Sequence, residues 1–150
     1  MPTNVIAVLN DLAETSKDSE RGFQQAAHDT RDQRLKLLFT SRANDCLQAS
    51  RELQRLVERL GGRPEGHATV DGILHRRWIG MKSVVLGRDD RSILAECDRG
   101  EGAAEHRYRR ALDAGLPADA RLVVERQYLD LLQNHVRIRE LRDQHAIAKS

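Results

Sequence analysis

The sequence predicts an all-α protein: a four-helix bundle made of two antiparallel hairpins joined by a long crossover that carries a shorter fifth helix. Three observations predict it. Apolar residues recur at alternating steps of three and four through four long stretches, which is the period of one helix face. All three prolines, Pro2, Pro64 and Pro117, fall outside those stretches, where a missing N–H breaks no helical ladder. Aromatic residues make up only 3% of the chain, which counts against a sandwich or barrel of many short strands.

The first segment, about Thr3 to Asp29, carries Val5, Leu9, Leu12, Ser16, Ser19, Phe23 and Ala26 on one stripe. The second, about Thr30 to Leu60, continues the rhythm with Leu35, Phe39, Arg42, Cys46, Ala49, Leu53, Leu56 and Leu60, and Gly61-Gly62 stops it. A third and shorter helix is expected over Thr69 to Leu86, with Val70, Ile73, Leu74, Trp78, Met81 and Val85 on one face. The fourth segment opens at Asp89 or Asp90, either able to cap free amides, and carries Leu94, Cys97, Glu101, Ala104, Tyr108 and Ala111 up to Gly115. The fifth starts at Pro117, a residue suited to a first helical position, and carries Val124, Tyr128, Leu131, His135 and Ile138. Short turns near residues 30 and 116 make each flanking pair of helices antiparallel neighbours, and the connection from Gly61 to Arg88 is long enough to travel the whole bundle.

A chain of 150 residues fits one domain, spanning 1–150, that buries roughly 68 to 70% of its unfolded surface. No stretch approaches the roughly 18 consecutive apolar residues of a membrane span, and the first residues lack the basic-then-apolar order of a secretory signal. A cytoplasmic protein without membrane contact is expected. A formal net charge of +2 argues against a dedicated nucleic-acid surface. Arg76-Arg77-Trp78 and the cluster Arg107, Arg109 and Arg110 are read as solvated basic faces. No glycine-rich phosphate loop, Ser-His-Asp arrangement or Cys-x-x-Cys pair is present, so no reaction and no substrate is assigned. Cys46 and Cys97 stand among apolar neighbours and are expected to be buried free thiols.

The informative residues are polar side chains on the apolar stripe, because an unpaired buried charge costs several kcal/mol or loses its charge. Glu20, Arg42, Glu101 and His135 stand out. Counting residues from the turns brings Glu20 and Glu101 to one level, with Asp45 a turn from Arg42 and His135 a turn along the last helix. Inward carboxylates and a histidine on facing helices are the donor set of a carboxylate-bridged metal site. Glu20, Glu101, His135 and Asp45 are therefore the expected metal ligands, for iron, manganese or zinc. The alternative is metal-free: Glu20 pairs with Arg42, and Glu101 with His135 or a nearby arginine, fixing helix register in a structural or stress-protection module that acts through oligomerisation. His28, His67, His75, His106 and His145 are expected outside any site.

The segments LNDLAETSKDSERGFQQAAHD (residues 9–29), ILAECDRGEGAAEHRYRRAL (93–112) and VERQYLDLLQNHVRIRELRD (124–143) resemble a bacterial family of ferritin-like four-helix-bundle proteins of unknown function. The resemblance covers nearly the whole chain and is carried most specifically by Glu14-Thr15-Ser16-Lys17-Asp18, Leu94-Ala95-Glu96-Cys97 and Glu125-Arg126-Gln127-Tyr128. It implies a ferritin-like fold and a stress-related role; separately, a homo-oligomer is expected. Set against the wider ferritin and rubrerythrin superfamily, Glu20 and Glu101 resemble the single glutamates of the first and third bundle helices. The Glu-x-x-His pairs of the other two helices are absent: Glu52 is followed by Arg55, Glu125 by Tyr128, and Leu132 precedes His135.

Overall fold

The computed structural model describes residues 4–64 and 89–148. Four helices account for nearly all of them: α1 (Val5–Asp29), α2 (Gln33–Arg59), α3 (Asp90–Asp113) and α4 (Ala118–Ala148). No strand occurs among the described residues, and none of their helices is long and apolar enough to cross a membrane. The shorter helix expected over 69–86 lies outside them.

Local chemistry sets each boundary. Asn4 caps α1 by accepting from the Ala7 amide, Asp32 caps α2 through the Arg34 and Leu35 amides, and Asp89 caps α3 through that of Ser92. Of the two aspartates proposed for the last cap, Asp89 takes the role and Asp90 becomes the first helical residue. Helix α2 ends where Gly61 turns to φ +82°, so that Gly61 N–H reaches Glu58 O and Gly62 N–H reaches Val57 O. Leu60, expected on the seam, is consequently lifted out of it as the helix cap and is 45% exposed.

The core is divided in two. Leu9, Leu12 and Ala13 near the start of α1 pack with Leu53, Leu56 and Val57 near the end of α2, with Ala104, Tyr108 and Ala111 of α3, and with Ala120, Val124 and Leu131 of α4. Phe23 and Ala26 pack with Leu35, Phe39, Ala43 and Cys46 of α2, with Ile93, Leu94 and Cys97 of α3, and with Ile138 of α4. The Phe23 and Phe39 rings stack at 6.1 Å between centroids. Cys46 and Cys97 are buried and free, as the sequence predicts.

Where the two apolar clusters meet, every helix buries polar residues: Thr15, Ser16, Asp18 and Ser19 on α1, Ser50 on α2, Glu101 on α3 and His135 on α4, with Arg42 set into the edge of the second cluster and Gln127 into that of the first. Thr30, just past α1, donates to Asp90 at 2.5 Å, and Arg107 late in α3 binds Asp11 early in α1 at 2.6 Å. The chain has thus returned by residue 90 to the end of the bundle where α1 finishes.

Candidate functional site

Two groups of side chains carry chemistry, one in the polar belt and one at the end of the bundle. In the belt, Glu101 is fully buried and faces the Arg42 guanidinium, with Nε 3.4 Å from Oε2. Asn134 Nδ2 donates to the same oxygen at 2.8 Å. Among the described residues, Glu101 Oε1 and Arg42 Nε have no hydrogen-bond partner. Burial is the largest influence and opposes the arginine's charge, but Glu101 together with Cys46, Tyr108 and Asp45 outweighs it and holds the guanidinium above the ordinary arginine range. The Cys46 thiol beside them is pushed up to about 12, chiefly by burial.

His135 lies between two carboxylates of α3. Its Nδ1 is 2.8 Å from Glu105 Oε2 and its Nε2 is 2.6 Å from Asp98 Oδ1. A carboxylate accepts only, so holding both bonds with ionised partners takes an imidazolium ring. Asp98 also binds Arg142 at 2.6 Å and Arg139 at 3.4 Å. Burial works to raise its carboxyl, yet the bonds from His135 and Arg142 prevail and keep it below the usual carboxylate range. A second chain of hydrogen bonds crosses all four helices. Ser16 donates to the Tyr108 hydroxyl at 3.0 Å, Tyr108 donates to Gln127 Oε1 at 2.8 Å, and Gln127 Nε2 donates to Glu52 at 2.9 Å and to the Ala49 carbonyl at 3.3 Å. A cavity of about 40 Å³ opens beside this chain, lined by Ser16, Arg42, Cys46, Tyr108, Gln127 and Leu131 among others.

The expected mid-bundle ligands are therefore distributed as follows. Glu101 and His135 point into the belt, but a cation at Glu101 Oε2 would have to displace Arg42 and Asn134, and His135 would have to release a carboxylate to coordinate one. Glu20 is half-buried and accepts from Gln24 at 3.2 Å. Asp45 is exposed on the groove between α2 and α4. Arg42, paired with Glu20 in the metal-free expectation, has Glu101 as its ion-pair partner.

The second group was not expected. Asp32, Asp90 and His145, all half-buried, place one ligand atom each within 4.8 Å of one another. They come from the cap of α2, the first turn of α3 and the last turns of α4. His145 Nδ1 is 3.0 Å from the Leu141 carbonyl, an acceptor, so in the neutral ring that nitrogen carries the hydrogen and Nε2 is the one left to bind a metal. Asp90 Oδ1 takes the Thr30 hydroxyl and Asp32 Oδ1 takes two amides, so one oxygen of each is anchored by a second contact. Two carboxylates and one imidazole whose other nitrogen is held by a carbonyl form a donor set suited to a borderline divalent ion such as zinc, manganese or iron. Around an ion with ligand bonds of about 2.0 to 2.2 Å the three atoms would draw in to roughly 3 to 3.5 Å of one another. The sequence places His145 outside any site. Nothing periodic marks it, because the three residues belong to no common stripe and meet only when the helix ends close on one another.

None of the curated proteins matches the chain. Residues 4–114, which span α1 to α3 and so carry Arg42, Glu101, Asp32 and Asp90, match the family described as Domain of unknown function (DUF2383). The chain belongs to that family.

Proposed function

We propose that the protein is a ferritin-like bundle of two antiparallel hairpins that binds a divalent transition metal at the bundle end, through Asp32, Asp90 and His145. The observation that carries this reading is the convergence of those three ligand atoms within 4.8 Å from three separate helices. The tautomer fixed by the Leu141 carbonyl supports it, since a metal-binding imidazole ordinarily donates its other N–H to such an acceptor. The same reading has the chain act as a homo-oligomer in the cytoplasm, with the stress-related role that the ferritin resemblance implies.

Isothermal titration of tag-free protein with zinc(II), manganese(II) and, without oxygen, iron(II) tests the site. One ion per chain is expected, and His145→Ala or Asp90→Asn should each weaken it about 10- to 100-fold, the range for losing or misorienting one ligand. Unchanged affinity in both variants would remove the end site. The mid-bundle set Glu20, Asp45, Glu101 and His135 is the second reading, favoured by the unpartnered Oε1 of buried Glu101. Metal lost in Glu101→Gln but kept in His145→Ala would assign it there.

A further inference from the structure

Helix α4 is apolar on two sides. Val124, Leu131 and Ile138 are buried in the bundle at intervals of seven residues. Leu122, Leu129 and Val136 repeat the same interval two positions earlier and are 68%, 58% and 54% exposed. Two positions are about 200° around a helix at about 100° per residue, so the second stripe faces directly away from the first. A scattered exposed leucine is ordinary. Three apolar residues in a seven-residue repeat on one face form the seam of a helix packed against another helix.

The charges beside the stripe indicate which helix. Asp119, Arg126, Asp130 and Arg137 lie about 60 to 100° round from Leu129 at about 100° per residue, on one flank, and their signs alternate. Laid antiparallel on a copy of itself, this flank sets Asp119 against Arg137 and Arg126 against Asp130, each twice. Laid parallel, the two-fold axis carries this flank and its counterpart to opposite sides of the pair, so the four charges do not meet one another. On the other flank the antiparallel arrangement brings Arg121 near Arg139 of the second copy, and each already holds a carboxylate of its own chain, Glu125 at 2.7 Å and Asp98 at 3.4 Å. We infer that the outer face of α4 is an isologous interface, on which a second copy of this chain packs antiparallel with Leu129 near the two-fold axis and Leu122 against Val136. This rests on the homo-oligomer part of the proposed function and is independent of the metal.

Sedimentation velocity on the full chain tests it. The wild type should be a dimer. Leu129→Glu places two carboxylates at the axis and should raise the dissociation constant at least about 100-fold, as for a central anchor residue, with far-UV helicity unchanged. If that variant loses helicity, Leu122→Gln/Val136→Gln must give the same dissociation. Asp119→Arg should weaken the dimer about tenfold, and adding Arg137→Asp should restore it to within about threefold, as expected for complementary rim charges. A wild type that stays monomeric at about 100 µM, far above the working range of a standard-sized interface, overturns both this surface and the homo-oligomer reading. An oligomer that survives Leu129→Glu keeps that reading and removes this face. A charge swap that fails to restore association removes the antiparallel pairing.

Discussion

Arg42 and Glu101 face each other where apolar side chains would complete the core, and their partnership is incomplete on both sides. Among the described residues, one oxygen of Glu101 and the Nε of Arg42 lack hydrogen bonds, so the pair meets the cost of desolvation mainly through its mutual charge. Removing one member leaves the other buried without compensation, which costs about 3 to 5 kcal/mol, whereas removing both in favour of apolar residues of similar volume is often neutral or stabilising. Arg42→Met and Glu101→Leu should therefore each destabilise by that amount, and the double variant should recover most of it. Urea denaturation of the four proteins reads this directly. Additive losses would show that the two residues act separately. Both residues were legible in the sequence, since a charge on an otherwise apolar stripe is conspicuous at helical spacing. Their partnership was not, because the stripe fixes a face and an approximate level while the rotamer that joins Arg42 to Glu101 instead of Glu20 is settled by packing.

At the scale of elements, one carboxylate of α3 gathers three groups of α4. Asp98 on α3 receives His135, Arg139 and Arg142, all from α4. Because its folded pKa is depressed, its contribution is fully present above the unfolded value of about 3.9 and is lost as pH falls through the lower folded value. Asp98→Asn should thus be clearly less stable than wild type at pH 7, and the gap should narrow as the pH is lowered below about 4. Chemical denaturation at pH 7 and at pH 3 measures both gaps, and a difference that stays constant between them would refute that contribution. The helices themselves were legible from spacing, caps and glycine stops. What escaped was any residue with a second allegiance. Asp32 and Asp90 stand at helix starts, where aspartate already has a local reason to occur, and His145 keeps no company in sequence. Leu122, Leu129 and Val136 were hidden in turn by the inward stripe two positions later, which accounted for the helix by itself.

For the whole molecule, a polar layer of Ser16, Glu101 and His135, joined by Arg42 and Gln127, separates one apolar cluster at each end. Few apolar contacts cross that level, so the two clusters are coupled mainly by the continuity of the helices and by directional bonds. Such a molecule has two places to begin coming apart. Amide hydrogen exchange under native conditions should resolve two cooperative units. One is centred on Leu9, Leu53, Ala104 and Val124; the other is centred on Phe23, Phe39, Ile93 and Ile138, and each would have its own opening free energy below the global value. A single exchange isotherm shared by both sets would mean that the belt transmits cooperativity as fully as a continuous core. Two isotherms would mean that the polar layer acts as a partition, letting one end of the bundle breathe while the other keeps the chain folded.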